Sequence, residues 1–319
     1  MRSLFFDIAR TVDSTMKRVE FTIARILKIP GISRSWYYQQ IDFHPMLDRR
    51  FNPFAAGNEE WIVTGYKRKH PGMSFREVAY SLIDEYLAYL SPSTVYNILK
   101  KHGLITKWKM PSWASTRPEK ARKLDERWQT DIMYVKIRSR FFYLIIFIDE
   151  YSRYIVHHSL LTSMDADSFS FEAQNAINIL RKGSVSVPVM QSDNGSSFIS
   201  MEFKIVLKEN RLTQKLNRSH TPEQNGIVER ANKTVWESPV PVILTGYDHA
   251  KSEIAKVIDY YNNKRRHSSL HYLTSIYYYR GDPDLLLAIR ESKIEKARTL
   301  RKEENMRERK GGAMAGSIS

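Results

Sequence analysis

The chain has 319 residues, a hydrophobic content of 42%, an aromatic content of 12% and a formal net charge of +15. These values argue against global disorder and leave room for two or three domains. Because the chain contains no cysteine, disulfides, thiolate zinc sites and a cysteine nucleophile are excluded. So large a positive charge favours a nucleic-acid partner over a merely basic protein, since each neutralised phosphate releases counterions.

The ends and apolar runs of the sequence predict where the protein works. No signal peptide is evident at the N-terminus, and no apolar run approaches the about 18 residues that a membrane span needs. We therefore expect a cytoplasmic protein that has no membrane partner and that associates with the nucleoid when it is bound to DNA.

The first 50 residues are predicted to form a helix-turn-helix-like region. Within residues 17–40, two short helical patterns lie on either side of Pro30 and Gly31, which are turn residues. Short helices joined by a tight turn are typical of modules that place one helix in the DNA major groove. Such patterns are degenerate, so an ordinary helical bundle stays open as the alternative.

Residues 51–110 are predicted to form a second unit of the same kind. A first helix ends before a Pro-Gly turn, a second covers residues 74–89, and a third begins after Ser91, which is placed to cap it. Two adjacent basic residues near the end of the third helix, Lys100 and Lys101, favour a DNA-binding role for this unit.

The central part of the chain, residues 128–284, predicts a mixed α/β domain. Three segments rich in β-branched and aromatic residues predict three strands, and Asp149 falls in the turn between the second and the third. A helix over 165–182, a short strand VPVMQSD and a helix over 198–210 follow. This order is typical of a mixed sheet with helices packed against it.

Two basic segments flank this domain. Residues 111–127 are polar, basic and punctuated by prolines, which predicts a linker. Residues 285–319 predict a charged helical tail, which fits a solvated helix with paired charges as well as a DNA-contacting arm.

Three carboxylates of the central domain are the candidate catalytic residues. Asp131 lies within a predicted strand, Asp193 directly follows a strand, and Glu229 lies in the first turns of a predicted helix. Each acid alone is a weak signal, because acids at strand ends are usually solvated. Converging from two strands and a helix, the three can hold two divalent cations, which prefer hard oxygen ligands.

At these residues the chain resembles a known family. Three segments, WQTD at 128–131, QSDNGSSF at 191–198 and HTPEQNGIVERANKTV at 220–235, resemble the catalytic motifs of insertion-sequence transposases related to retroviral integrases. Thirty-five residues separate Asp193 from Glu229, as in the family's D,D-35-E motif. Residues 260–281, YYNNKRRHSSLHYLTSIYYYRG, resemble the family's following signature. A ribonuclease H or resolvase would share the carboxylates but not this spacing.

The resemblance implies a fold, an activity and partners. It implies a ribonuclease-H-like sheet with Asp131, Asp193 and Glu229 as ligands of Mg²⁺ or Mn²⁺, with two ions and no organic cofactor. It implies cleavage at the ends of a DNA element and attack of the freed 3′-hydroxyl on target DNA. The partners would be both DNA duplexes and further copies of the chain.

Further residues are candidates for DNA contact. Lys233 lies four residues after Glu229 on the same helical face, where a surface Glu-Lys pair is the alternative. Asn194 and Asn225 flank the acids, although asparagine in a turn needs no functional reason. The list of candidate DNA contacts is Lys100, Lys101, Asn194, Asn225, Arg230 and Lys233.

The chain departs from the family's pattern at a few positions. Pro239 and Pro241 fall where the helix of Glu229 normally continues, and an interior proline costs a helix about 3 kcal/mol. The helix is therefore expected to end near Glu237. Met133 stands where a small hydroxyl residue is common, and His271 where glycine is usual. The alternative hypothesis is a remnant that binds DNA without strand transfer.

Overall fold

The computed structural model describes residues 27–28, 59–85, 87–105, 120–183, 187–218, 224–236 and 244–315. The described chain divides into two compact units. The first comprises described residues within 27–112 together with 282–315, and the second comprises described residues within 113–281. Among the described helices, none is both long and apolar enough to cross a membrane. The region predicted over residues 1–50 and the prolines at 239 and 241 lie outside the described residues, apart from Leu27 and Lys28, which are helical.

The first unit begins with three helices, α1 (Glu59–Lys69), α2 (Phe75–Asp84) and α3 (Pro92–Lys101). Ser74 and Glu77 form a capping box at the start of α2, and Ser91 caps α3 as predicted, with Pro92 in its first turn. The helices enclose an apolar core of which Val78, Leu82, Val95 and Leu99 are the centre. The assignment of these helices as a helix-turn-helix stays a prediction.

The prediction that the second helix extends to Tyr89 is wrong. α2 ends at Asp84, and the N–H of Leu87 turns back to the carbonyl of Leu82. Ala88, Tyr89 and Leu90 are consecutive and all buried. One face of a helix cannot bury three consecutive residues, so the chain leaves the helix in order to pack them.

The tail is one long helix, α10 (Pro283–Ala315), and it belongs to the first unit. Arg290 donates to both carboxylate oxygens of Asp84, while Ala297 packs with Ile83 and Tyr89. The first half of the tail is therefore attached to the helical unit by apolar and charged contacts.

The second unit is built on a five-stranded sheet. Its strands are β1 (Arg127–Ile137), β2 (Arg140–Asp149), β3 (Ile155–Leu161), β4 (Val189–Ser192) and β5 (Thr213–Leu216). The strand order is β3-β2-β1-β4-β5. The first three strands are antiparallel, while β4 runs parallel to both β1 and β5. This topology confirms the predicted ribonuclease-H-like mixed sheet, and the DEYSR turn lies between β2 and β3 as predicted.

Helices cover both faces of this sheet. One face packs against α4 (Ala166–Gly183), the short α5 (Ser196–Ile199) and α6 (Met201–Glu209), around an aromatic core that includes Trp128, Phe147 and Phe169. The opposite face packs against α7 (Gly226–Trp236) and α8 (Tyr247–Asn263), around an aliphatic core. The alternating residues of each strand supply the two cores.

The segment that resembles the family's signature closes one edge of the sheet. It contains the end of α8, two short strands β6 (Arg266–His267) and β7 (Leu273–Thr274), and α9 (Ser275–Tyr279). Asn262 of α8 donates to the carbonyl of Ile155 and accepts from its N–H, both at 2.9 Å. β3 is an edge strand, and the side-chain amide of Asn262 makes the two backbone hydrogen bonds that a further strand would make with Ile155.

Candidate functional site

The sheet register brings Asp131 and Asp193 side by side. Gln129 of β1 lies opposite Gln191 of β4 in the parallel pair. Asp131 and Asp193 each follow two residues later, just beyond this last pair of the ladder, so alternation places them on the face of the glutamines. Asp193 stands just beyond the end of β4, at the carboxyl edge where α/β sheets place their binding sites.

Asp131 is half-buried and is held by the helix above it. Its Oδ2 accepts a hydrogen bond from Asn232 Nδ2 at 2.8 Å. Asn232 is itself buried, on α7. The contact fixes the orientation of the carboxylate.

Asp193 lies on a tight turn. Its Oδ1 accepts from the backbone N–H of Gly195 at 2.9 Å. A Cβ on Gly195 would stand 3.1 Å from that oxygen and 3.2 Å from Phe198, so a larger residue here would require one of these side chains to shift. The side chain of Asp193 is exposed and is therefore accessible to a cation or a substrate.

Glu229 is placed by the docking of α7 on β1. The N–H of Val228 donates to Gln129 Oε1 at 3.3 Å, and one turn later Asn232 meets Asp131. Four helical residues rise about 6 Å and two strand residues about 6.6 Å, so the two contacts match in spacing. Glu229 lies between them, exposed, in the first turn of the helix.

The electrostatics of the site show that the acids influence one another. Burial, together with the nearby carboxylates of Asp193 and Glu229, raises the pKa of Asp131 to about 6. Burial and the charge of Asp193 also raise the pKa of Glu229. Yet in the described part of the chain no three Asp, Glu, His or Cys side chains lie close enough together to share one metal ion. The acids therefore converge without closing on one point.

A layer of amides beside the acids was missed in the sequence. Gln129 donates to Glu150 at 3.1 Å, and Gln191 donates to Asn217 at 2.8 Å and to the carbonyl of Gln224 at 2.7 Å. Both glutamines are buried. The signal that could have found them is the shared spacing Gln-x-Asp, in WQTD and in QSD. No comparable signal marks Asn232.

The predicted DNA contacts have different surroundings. Arg230 and Lys233 are exposed on α7, beside Glu229. Asn194 donates to the carbonyl of Asn217, and Asn225 is 5% exposed. Lys100 is exposed on α3, whereas Lys101 pairs with Glu60 at 2.7 Å. Their role in DNA binding stays a prediction.

Two family models match the second unit. Both describe an integrase core domain, and they cover residues 121–222 and 210–274. The transposase for insertion sequence element IS629 of Shigella sonnei is 26% identical over 269 residues, which is 78% of this chain and 88% of that protein. The putative transposase InsK for insertion sequence element IS150 of Escherichia coli (strain K12) is 25% identical over 163 residues, or 51% of this chain and 57% of that protein.

Solved structures with low overall similarity are also found. A simian T-cell lymphotropic virus intasome, in complex with PP2A regulatory subunit B56 gamma, gives a TM-score of 0.41 at 16% identity, over 68% of this chain and 73% of that chain. The HTLV-2 integrase catalytic core domain in complex with magnesium gives a TM-score of 0.36 at 18% identity, over 48% of this chain and 95% of that chain.

The sheet and the two family models define the class of the second unit. Residues 121–274 are an integrase core domain. Beyond this core domain, the chain is similar to a transposase of an insertion sequence over 78% of its length.

Proposed function

We propose that Asp131, Asp193 and Glu229 are the catalytic residues of a DNA transposase and that they bind two Mg²⁺ or Mn²⁺ ions. The observation that carries the proposal is the β1–β4 register, whose last pair, Gln129 with Gln191, stands two residues before Asp131 and Asp193. The helix of Glu229 contacts Asp131 through Asn232. The effect of Asp193 and Glu229 on the pKa of Asp131, and of Asp193 on the pKa of Glu229, supports it. An all-oxygen donor set with exposed members suits these cations, which keep several waters and bind substrate phosphate.

Two such ions, when bound, supply an activated attacking oxygen and stabilise the leaving oxygen of an in-line displacement at phosphorus. The protein's own residues do the positioning. Asn232 keeps Asp131 oriented, and Asp193 can exchange the N–H of Gly195 for a cation because its side chain is exposed. Arg230 and Lys233, exposed on the same helix, are placed to hold DNA phosphates near Glu229.

The proposed reaction is cleavage at the ends of the mobile element, followed by transfer of the freed 3′-hydroxyl to target DNA. Joining two ends needs two active sites, so we expect at least a dimer of the chain on DNA. The alternative, a DNA-binding remnant, rested on the prolines at 239 and 241. α7 reaches Trp236 and carries Glu229 in its first turn, which supports the enzyme over the remnant.

The test is an in vitro assay of cleavage and strand transfer with DNA that flanks the gene, with and without Mg²⁺. Asp193→Asn should lower Mg²⁺-dependent cleavage at least about a thousandfold, or about 4 kcal/mol, and leave DNA binding nearly intact. Glu202→Gln, an exposed acid on α6, is the matched control and should cleave like the parent chain. Equal cleavage by Asp193→Asn and the parent would refute the assignment.

A further inference from the structure

A cavity of about 360 Å³ lies among the three elements that carry the acids. Gln129 of β1, Gln191 of β4 and Gly226 of α7 line it. On the same three elements, Asp131 and Asp193 follow the glutamines by two residues, and Glu229 follows Gly226 by three. At about 3.3 Å per strand residue, the cavity lies about 7 Å from the carboxylates. On a DNA strand that distance corresponds to about two nucleotides at 3.4 Å each.

The lining of this cavity is strongly basic. Five cationic side chains line it, namely Lys120, Arg127, Arg153, Lys215 and Arg218, against the single carboxylate of Glu150. Glu150 already accepts hydrogen bonds from Arg127, from Gln129 and from the backbone N–H of Ala121. The first residues of α7 also line the cavity, and the amino end of a helix favours an anion.

Two buried polar atoms of lining residues lack a partner among the described residues. Gln191 is 2% exposed, and its Oε1 accepts no hydrogen bond although its Nε2 donates two. Arg153 Nη1 likewise has no acceptor there. Buried polar groups are nearly always paired, so these two lining residues each retain the capacity for a further hydrogen bond.

A ligand that fits must combine an anion with an N–H donor. We propose that the cavity binds one nucleotide of the DNA strand that enters the active site. The phosphate lies among the lysines and arginines, and an amino group of the base donates to Gln191 Oε1. This inference rests on the proposed function, because it assigns the strand's path next to the triad. A volume of 360 Å³ is at the scale of small-ligand pockets.

The test compares two double variants of the full chain. Lys120→Ala with Lys215→Ala removes two exposed cations of the cavity, and Lys204→Ala with Lys208→Ala removes two exposed cations of α6, on the opposite face of the sheet. Binding of a single-stranded oligonucleotide is measured by fluorescence anisotropy at several salt concentrations. The cavity variant should bind about tenfold more weakly, and its log–log salt slope should fall by about 1.4, at about 0.7 for each lost contact. The α6 variant should keep the parent's slope.

Equal losses in the two variants, or no loss in either, would overturn the cavity as a nucleotide site. Competition separates a nucleotide from a free anion: dCMP should displace the oligonucleotide at least tenfold better than inorganic phosphate. Equal displacement by the two would overturn the proposal as well.

Asp193→Asn distinguishes this proposal from the function on which it rests. That variant should bind the oligonucleotide with the parent's salt slope. If the parent cleaves DNA and the cavity variant binds and cleaves equally well, only the cavity proposal is wrong. If no DNA is cleaved by the parent although the cavity variant loses binding, only the proposed function is wrong.

Discussion

Two aspartates on opposite faces of the same sheet differ in their surroundings. Asp149 ends β2 on the face of the aromatic core, and Asp131 lies within β1 on the face of α7. Burial raises the pKa of Asp149 to about 7 and, with nearby carboxylates, that of Asp131 to about 6. A raised pKa therefore does not by itself distinguish a structural acid from a functional one.

The neighbours of the two acids make the distinction. Asp149 accepts from the N–H of Asp125, from the N–H of Ser152 and from the Ser152 hydroxyl, so the fold already supplies donors to both of its oxygens. Asp131 accepts one side-chain hydrogen bond and faces the carboxylates of Asp193 and Glu229. The donors around Asp149 hold a turn, whereas the two carboxylates beside Asp131 belong to the candidate site.

The largest expected effect is on activity, at Asp131. Asp131→Asn should lower Mg²⁺-dependent cleavage at least about a thousandfold, or about 4 kcal/mol, because it removes a ligand. The free energy of unfolding should stay within about 0.5 kcal/mol of the parent's or rise, since a repelled and half-buried charge disappears. Cleavage assays and urea denaturation check the two parts. If Asp131→Asn unfolds more easily than the parent and still cleaves DNA, Asp131 is a structural acid and not a catalytic one.

Asp149 should show the opposite behaviour. Asp149→Ala leaves three buried donors without an acceptor, at about 1–3 kcal/mol for each, so we expect a loss of at least about 3 kcal/mol in the free energy of unfolding. At low temperature, where the variant is folded, its rate of DNA cleavage per folded molecule should equal the parent's. Denaturation and cleavage of the same preparation measure both. An unchanged stability would mean that Asp149 is not the structural acid.

Asn232 tests how much the orientation of Asp131 matters. Asn232→Ala removes the hydrogen bond to Asp131 Oδ2, and loss of such a supporting contact typically costs 10–100-fold in metal affinity or activity. We expect the variant to need a higher Mg²⁺ concentration for half-maximal cleavage. The control is Asn178→Ala on α4, because Asn178 is exposed whereas Asn210 is buried like Asn232. An unchanged Mg²⁺ dependence would contradict a positioning role.

The smallest effect is expected at a turn outside the five-stranded sheet. His271 adopts φ of 52°, in the left-handed region that costs a non-glycine residue about 1–2 kcal/mol. Glycine removes this strain but costs about 0.5–1 kcal/mol in entropy, so His271→Gly should stabilise the protein by about 0.5–1 kcal/mol. Cleavage should not change. A destabilised variant in thermal unfolding would show that contacts of the imidazole outweigh the strain.

Much of this site is predictable from the sequence because local patterns determine it. The alternation of β1 places Asp131 within a strand, and the Asp193-Asn194-Gly195 turn places Asp193 at a strand end. The first turns of a helix contain Glu229. Each of these features depends on neighbours within a few residues along the chain.

The remaining features depend on contacts between distant residues. Asn232 meets Asp131 across 101 positions, and Asn262 meets Ile155 across 107. No local pattern distinguishes these asparagines from exposed ones. The early end of α2 has the same kind of cause, since burial of Ala88, Tyr89 and Leu90 in the packed unit overrides their helical propensity.

Titration with Mn²⁺ is the most direct test of the claim that the three acids bind divalent cations. Calorimetry of the parent chain should detect Mn²⁺ binding, and Glu229→Gln, which changes an exposed side chain, should weaken that binding at least about tenfold. Glu202→Gln should bind like the parent. Equal binding by the parent and Glu229→Gln would contradict the assignment of Glu229 to the site.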